Sequence, residues 1–293
     1  MSHKHIAVLY HADCLDGFGG AYAAWKKFGD SAEYHPLKYG HEPLIEEVRG
    51  KEAYFIDCCY SQEIMNAVLE SAQSLVILDH HEGTEDVVKS MPKYVYDANR
   101  SGASIAWSYF HPDTPLPELI QHLEDEDLYR FNMPDTRALG VFLSAHEFSF
   151  AFWDEVANSL ANPEKRAALL TEANSFLKYF NHLVNLSVNH AHLISFEGYE
   201  VLLANTSPMK TLKSAVGNVL AQKKPPFALV MSVHPNGLGV SIRGDGSVDV
   251  SVIARKYGGN GHPKSSGFHI PWQTPMPFTS IEDKPISPRT DAA

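Results

Sequence analysis

The stretch Ser74-Leu75-Val76-Ile77-Leu78-Asp79-His80-His81 decides the fold. A short apolar run that ends in polar residues predicts a buried strand, and ligands of open α/β sheets bind just beyond the carboxyl ends of such strands. The stretch therefore predicts one carboxylate and two imidazoles at the position where a site is expected. A tripeptide alone has low specificity in a chain with 16 histidines. Its value as evidence therefore depends on whether other strands end in similar residues.

Two upstream strands of the predicted sheet end in the same way. The apolar residues 6–10 lead into His11-Ala12-Asp13-Cys14-Leu15-Asp16-Gly17, and residues 53–56 lead into Asp57. Because the carboxyl ends of parallel strands meet at one edge of a sheet, we expect these groups to converge with Asp79-His80-His81. A further acidic cluster, Glu124-Asp125-Glu126-Asp127, follows a predicted helix and could close the same site.

Strand and helix patterns alternate over residues 1–135, which predicts a mostly parallel sheet flanked by helices. Residues 136–194 have a helical pattern, and the absence of proline and glycine from residues 165–193 favours one long helix that connects two lobes. The strand pattern returns over residues 195–272 and indicates a second, smaller α/β domain. Residues 273–293 are rich in proline and polar residues, so we expect a disordered tail. The predicted fold class is α/β with two lobes.

The amino-acid composition limits the type of ligand that the protein can bind. The chain has 293 residues, 44% of them hydrophobic and 20% charged, and its formal net charge is −11. A groove for long duplex nucleic acid needs a basic surface to neutralise phosphates, so this charge favours a small phosphorylated substrate or a short oligonucleotide. No run approaches the roughly 18 apolar residues of a membrane span. The spacing of Cys14, Cys58 and Cys59 does not indicate a disulfide scaffold, and together these features predict a cytoplasmic protein.

The predicted cluster of carboxylates requires a counter-charge, because like charges at short range raise each other's pKa or separate. Mixed carboxylate and imidazole ligands favour Mn²⁺ or a similar divalent ion, with Mg²⁺ as an alternative. Two such ions about 3.5–4 Å apart activate water and hold a transferring phosphoryl group. The alternatives are structural: Asp57 is also of a common turn-forming type, and residues 124–127 also fit a solvated helix end.

The second domain contains the sequence Gly258-Gly259-Asn260-Gly261-His262, followed by Ser265-Ser266-Gly267-Phe268. Clustered glycines let backbone N–H groups approach an anion closely, and His262 beside them could contact a phosphate. An ordinary glycine-rich loop after a helix is the alternative. Arg100 and Arg243 are candidate phosphate ligands, with surface salt bridges as the alternative for each.

These motifs together resemble those of the DHH family of phosphoesterases, named for the tripeptide found here as Asp79-His80-His81. Residues 258–268 resemble the Gly-Gly-x-Gly-His pattern, followed by small residues and Gly-Phe, of that family's DHH-associated domain. The resemblance extends over about residues 5–270. It implies two α/β lobes joined by a long helix, an active site between them, and two Mn²⁺ ions as cofactors, with Mg²⁺ or Co²⁺ as substitutes.

The resemblance also implies roles for individual residues. One Mn²⁺ would be held by His11, Asp13 and Asp57. The other would be held by Asp16, Asp57, His80 and either Asp125 or Asp127, with Asp57 as the bridge. The implied catalytic set is Asp57, Asp79, His80 and His81, and the implied substrate-binding set is Arg100, Arg243, Gly259, Gly261 and His262. The first motif departs from the family pattern Asp-x-Asp-Gly, because two residues separate Asp13 from Asp16.

The expected activity is metal-dependent hydrolysis of a phosphodiester in a short oligonucleotide or another small phosphorylated substrate. Within the same family, the alternatives are a phosphomonoesterase and a polyphosphate or pyrophosphate hydrolase. A nucleotide-binding regulator without catalytic activity is the alternative from a different functional class. The nearly complete set of ligands favours the enzyme, because a binding protein need not retain a metal-activated nucleophile.

Overall fold

A computed structural model describes residues 4–38 and 45–281 of the chain. It divides into two compact units, Met1–Leu177 and Lys178–Ala293. The strands of the first unit are β1 Ile6–His11, β2 Ala32–Leu37, β3 Glu52–Ile56, β4 Ser74–Asp79 and β5 Tyr94–Tyr96. Its helices are α1 Leu15–Phe28, α2 Ile45–Val48, α3 Gln62–Ser71, α4 Glu85–Ser90, α5 Gly102–Phe110, α6 Glu118–Asp127, α7 Thr136–Ser144 and α8 Phe150–Ala161. The long helix α9, Pro163–Asn189, continues past the division between the units.

The five strands of the first unit form one sheet in the order β2-β1-β3-β4-β5, and every neighbouring pair is parallel. Alternate residues of β1 pack on opposite faces: Val8 packs on the side of α1 and α5, whereas Leu9 packs on the side of α3 and α4. Helices therefore cover both faces of the sheet, which explains why the sequences of its strands are continuous apolar runs. The prediction of an α/β fold with a parallel sheet is confirmed.

The strand order also determines where a site can form. The chain leaves β1 for β2 on one side and then returns to place β3 on the other side of β1. The loops that follow β1 and β3 therefore diverge and leave a crevice at the carboxyl edge, the usual ligand position in such sheets. His11 ends β1, Asp57 follows β3, and Asp79 ends the neighbouring strand β4.

The second unit contains a sheet with the strand order β10-β11-β9-β8-β7-β6-β12, in which only β7 and β8 are parallel among the described pairs. Its strands are β6 His192–Phe196, β7 Tyr199–Asn205, β8 Phe227–His234, β9 Gly237–Gly244, β10 Asn260–His262, β11 Ser265–Pro271 and β12 Phe278–Ser280. The helices α10, Lys210–Lys223, and α11, Val250–Lys256, pack on opposite faces. This mixed sheet with helices is the smaller α/β region that the sequence predicts.

Three local features differ from the sequence predictions. The long helix ends at Asn189, and residues 192–193, predicted as its end, begin β6 instead. The glycine-rich segment contains the short strand β10, not only a loop. Strand β12 pairs with β6 inside the range expected to form a disordered tail, and residues 282–293 of that range lie outside the described residues. Among the helices described, we find none with the length and apolar character needed to cross a membrane.

Candidate active site

Asp57 lies at the centre of the carboxyl edge of the parallel sheet. Its side chain is buried, and each of its oxygens faces a different imidazole. Oδ2 lies 3.2 Å from Nδ1 of His11, and Oδ1 lies 3.1 Å from Nε2 of His80. Asp57 has a φ of 58°, in the left-handed region that non-glycine residues rarely occupy. Such backbone strain is concentrated at functional sites, and this geometry suits a carboxylate that bridges two ions.

The charges around Asp57 and His80 are strongly coupled. Burial raises the pKa of Asp57, but the hydrogen bonds with His11 and His80 outweigh it and hold the pKa far below its ordinary value. For His80, burial lowers the pKa, whereas Asp57, Asp16 and Asp127 raise it to a net value of about 10. The cluster thus favours a positive charge among its carboxylates, in agreement with a cation site.

Asp16 is held by the amino terminus of helix α5. Its Oδ2 accepts a hydrogen bond from the backbone N–H of Gly102 at 2.6 Å, and its Oδ1 accepts one from Ala103 at 2.9 Å. An anion is favourable at this end of a helix, where N–H groups lack intrahelical partners. Burial raises the pKa of Asp16, and the negative charges of Asp127 and Asp57 raise it further. Gly102 thereby joins the loop after β1 to the loop after β3, because it also packs against Asp57.

Asp79 orients the other members of its motif. Its buried carboxylate lies 2.8 Å from Nδ1 of His81 and accepts a hydrogen bond from the backbone N–H of His80 at 2.8 Å. The second oxygen accepts a hydrogen bond from the Thr84 hydroxyl at 2.9 Å. Burial lowers the pKa of His81, but the pair with Asp79 and the charge of Asp57 raise it above its ordinary value. His81 is thus held in one orientation by Asp79.

The four acidic residues 124–127 have four different environments. Glu124 accepts hydrogen bonds from Ser101 and Ser104 near the start of α5. The buried Asp125 accepts from the backbone N–H groups of residues 132 and 133 and from the hydroxyl of Thr136. The Glu126 carboxylate packs over Gly140. Asp127 alone approaches the site, with Oδ2 3.6 Å from Nε2 of His80.

Three groups of potential metal ligands meet at this edge, each with ligand atoms within 4.8 Å of one another. The groups are His11, Cys14 and Asp57; Asp16, His80 and Asp127; and Asp57, Asp79, His80 and His81. Each combines imidazole nitrogen with carboxylate oxygen, a donor set that suits Mn²⁺ and related divalent ions. The residues therefore fit a two-ion centre in which Asp57 belongs to both halves.

Three candidates in the first unit lie outside these groups. The Asp13 side chain is 77% exposed and forms an ion pair with Lys38 at 2.8 Å. Asp125 is engaged in the loop described above. Arg100 donates to the carbonyl of Ser104 and the hydroxyl of Ser108, which ties it to helix α5, the helix that follows it in the chain.

The remaining candidates lie in the second unit. Arg243, on β9, donates to the hydroxyl of Ser214 at 2.8 Å. Gly259 allows β10 to approach β11 closely, because a Cβ atom there would lie 2.1 Å from the carbonyl oxygen of Gly267. Gly261 has a φ of 142° and a similar steric restriction. His262 ends the exposed strand β10. The glycines thus have a structural reason for their presence besides phosphate binding.

Sequence reasoning missed several residues that the structure brings to these regions. Cys14 faces His11 and Asp57, and its only sequence signal was its place inside the first motif. The motifs do not indicate Gly102, although its N–H group binds the carboxylate of Asp16 and its lack of a side chain makes room for Asp57. Lys213, in the second unit, is half-buried, and burial together with the charges of Arg243 and Lys210 lowers its pKa. No motif indicated it.

Comparison with known proteins finds similarity that extends over both units. The profile of the DHHA1 domain matches residues 199–276. Oligoribonuclease NrnB of Bacillus subtilis (strain 168) is 23% identical, over 89% of this chain and 72% of that protein. An uncharacterized protein of Acanthamoeba polyphaga mimivirus is 24% identical, over 94% of this chain and 70% of that protein. The chain is therefore similar to proteins of the DHH family and contains a match to the DHHA1 domain.

Solved structures share the fold of this chain at low identity. The Mn²⁺ complex of RecJ from Thermus thermophilus superposes with a TM-score of 0.51 at 14% identity, over 90% of this chain and 49% of that chain. The pGpG-specific phosphodiesterase PggH from Vibrio cholerae gives a TM-score of 0.51 at 11% identity, over 92% and 94% of the two chains. The resemblance to the DHH family that the Asp-His-His and glycine motifs predict is thereby confirmed.

Proposed function

We propose that this protein is a phosphoester hydrolase that uses two divalent cations, with Mn²⁺ as the favoured ion, to cleave a short oligonucleotide. The observation that carries the proposal is the placement of Asp57, whose two oxygens face two different imidazoles, those of His11 and His80. When bound, two ions in these positions would neutralise phosphoryl oxygens and lower the pKa of an attacking water.

The side chains of this protein would position the two ions and the substrate and would supply charge for this reaction. Asp57 would bridge the two ion positions, and Asp16 is already fixed by helix α5 for the second of them. Asp127 would close that position, since its carboxylate approaches the same nitrogen of His80 as Asp57 does. His81, held in place by Asp79, suits contact with a phosphoryl oxygen. These assignments give every charged residue at the sheet edge a separate role.

The second unit supports an anionic substrate. Burial lowers the pKa of Lys213, and the nearby charges of Arg243 and Lys210 lower it further, so a bound phosphate would be stabilised by these positive charges. His262, Gly259 and Gly261 would add contacts to an anionic substrate in the second unit. The net charge of −11 argues against a long nucleic-acid surface. NrnB is named an oligoribonuclease and PggH a pGpG-specific phosphodiesterase, which further supports a short oligonucleotide.

The alternative substrates are phosphomonoesters, polyphosphate and pyrophosphate, and the alternative function is nucleotide binding without turnover. The buried, strained Asp57 favours an enzyme, because a binding protein has no evident need for a bridging carboxylate in a costly backbone conformation. We also retain the cytoplasmic location as a prediction, and the three cysteines, all within the described residues, form no disulfide, in keeping with a reducing compartment.

A substrate panel with Mn²⁺ tests the proposal. The purified protein is assayed with di- to pentanucleotides, a cyclic dinucleotide, a nucleoside bisphosphate, pyrophosphate and polyphosphate, and Asp57→Asn is assayed in parallel. We expect turnover of short linear oligonucleotides that requires added metal and falls at least about 10²-fold in Asp57→Asn. Equal turnover by Asp57→Asn would contradict the two-ion proposal. Tight binding of nucleotides without any turnover, with two metals bound, would favour the regulator.

A further inference from the structure

The thiol of Cys14 belongs to the first half of the metal centre. Its sulfur lies with a His11 nitrogen and an Asp57 oxygen in a group whose ligand atoms are all within 4.8 Å of one another. The residue is buried, at 8% exposure, and Asp57 is more deeply buried still. This group therefore presents one nitrogen, one oxygen and one sulfur donor in a sheltered position at the end of β1.

The backbone explains why Cys14, and not Asp13, faces this position. Asp13 has a φ of 53°, in the left-handed region, and its side chain turns outward to pair with Lys38. Cys14 follows in an extended conformation as the residue that caps α1. Counted back from Asp16-Gly17, Cys14 also occupies the place of the first aspartate in the pattern Asp-x-Asp-Gly. The two-residue separation of the aspartates thus substitutes sulfur for a carboxylate oxygen.

We propose that the Cys14 thiolate is a ligand of the first ion, in place of the carboxylate that the motif would otherwise supply. This inference rests on the proposed two-ion centre. On binding, the thiol loses its proton to solvent, and sulfur, His11 and Asp57 then hold the ion. Thiolate ligands favour softer ions such as Zn²⁺, Co²⁺ or Fe²⁺, whereas carboxylates suit Mn²⁺ and Mg²⁺. The two halves of the centre would therefore differ in metal preference, because the half formed by Asp16, His80 and Asp127 has no sulfur.

A buried cysteine can also be a simple packing residue, and Cys59 provides the comparison. It is buried and close in sequence to Asp57, but its sulfur hydrogen bonds to the carbonyl of Tyr60. Cys59 belongs to none of the ligand groups found among residues 4–38 and 45–281. A change of Cys59 to serine is therefore a matched control for the removal of a buried thiol without the removal of a ligand.

Cobalt spectroscopy tests the proposal independently of activity. Metal-free protein is titrated with Co²⁺, and the near-ultraviolet thiolate-to-cobalt charge-transfer absorption is recorded for wild type, Cys14→Ser, Cys14→Asp and Cys59→Ser. We expect the absorption in wild type and Cys59→Ser and its loss in both Cys14 variants. X-ray absorption of the zinc-loaded wild type should show one metal–sulfur distance of about 2.3 Å. Zn²⁺ should bind Cys14→Ser more weakly by at least about tenfold, and Cys14→Asp should shift the preference toward Mn²⁺.

The possible outcomes separate this inference from the proposed function. Cobalt bound to wild type without thiolate absorption would overturn the role of Cys14 and leave the two-ion centre intact. Persistence of the absorption in both Cys14 variants would also overturn it. If the wild type, or Cys14→Asp, bound no divalent metal at all, the proposed function would fail as well.

Discussion

Oδ1 of Asp57 lies 3.1 Å from Nε2 of His80, although 23 positions separate the two residues in the chain. The contact exists because Asp57 follows β3 and His80 follows β4, and these strands are parallel neighbours in the sheet. Both side chains are largely buried, and Asp16 and Asp127 also approach the same imidazole nitrogen. Three carboxylates around one imidazole form a centre that a divalent ion would stabilise.

Mn²⁺ should therefore stabilise the folded protein. A ligand that binds only the native state raises the free energy of unfolding by about 2.7 kcal/mol at a concentration 100 times its Kd. We expect added Mn²⁺ to raise the Tm of metal-free wild type and to raise that of Asp57→Asn by much less. Differential scanning calorimetry measures both, and Asp13→Asn is the control, since Asp13 pairs with Lys38 outside the ligand groups. An equal Mn²⁺ effect on wild type and Asp57→Asn would contradict the bridging role.

Gly102 should be required for metal binding even though its side chain offers no ligand. A Cβ atom at this position would lie 2.7 Å from Cβ of Asp57 and 3.0 Å from Oδ2 of Asp16. Both contacts are closer than van der Waals packing allows, so Gly102→Ala must displace these carboxylates. We expect its Mn²⁺ affinity and its turnover to fall at least about tenfold, because comparable disturbances of supporting residues cost 10–100-fold.

Gly83→Ala is the matched control for that substitution. A Cβ atom at Gly83 would meet no heavy atom within 4 Å, so the alanine adds a methyl group without a contact. Isothermal titration with Mn²⁺ and steady-state kinetics should leave Gly83→Ala unchanged. Retention of full metal affinity by Gly102→Ala would show that the carboxylates do not need their present positions.

Substitution of Asp125 should mainly lower the stability of the fold, whereas substitution of Asp127 should mainly weaken metal binding. Asp125 holds the loop before α7 through two backbone N–H groups and Thr136, so Asp125→Ala leaves buried donors without an acceptor. We expect a loss of about 1–3 kcal/mol in the free energy of unfolding. Asp127→Ala should instead lower Mn²⁺ affinity with little change in stability. Urea unfolding and metal titration of both variants measure the two effects, and the reverse pattern would contradict the assignment.

The same four-residue cluster shows what the sequence can predict. The parallel sheet and the convergence of His11, Asp57 and His80 follow from apolar runs and the rule that strand ends share an edge. Which of the residues 124–127 approaches the site depends on the rotation of α6 against α5 and α7. Consecutive helical residues point in directions about 100° apart, so a small change in that rotation would exchange their roles. Composition and spacing contain no information on such a rotation.

The outward turn of Asp13 has a similar cause. Its direction depends on one left-handed φ angle, which the type of residue permits but does not require. The family resemblance implied that Asp13 and Asp16 are both ligands, whereas the structure places Asp16 and the neighbouring thiol of Cys14 in the ligand groups. The role of Gly102 could not be predicted from the sequence for a different reason. Gly102 matters because it has no side chain where Asp16 and Asp57 pack against it, and both of these residues are distant from it in sequence.

Asp154 should make the stability of the first unit depend on pH. Its Oδ1 accepts hydrogen bonds from Lys26 at 2.7 Å and from the hydroxyl of Tyr22 at 2.8 Å, which join α8 to α1. The bond from Lys26 lowers the pKa of Asp154, and that from Tyr22 lowers it further against the opposing effect of burial. A carboxyl with a lower pKa in the folded state stabilises it above the unfolded-state pKa of about 3.9. This contribution is lost as the pH falls through the folded-state pKa.

We therefore expect Asp154→Asn to lower the free energy of unfolding by about 1 kcal/mol at neutral pH. The difference from wild type should shrink as the pH falls below about 4, because protonation then removes the same charge from the wild-type side chain. Urea unfolding of both proteins across this range measures the difference, with Glu155→Gln as the control for the loss of an adjacent, exposed carboxylate. If the difference in the free energy of unfolding stayed constant with pH, the asparagine would destabilise the protein through its different hydrogen-bonding geometry. The charge of Asp154 would then contribute nothing to the contact between α1 and α8.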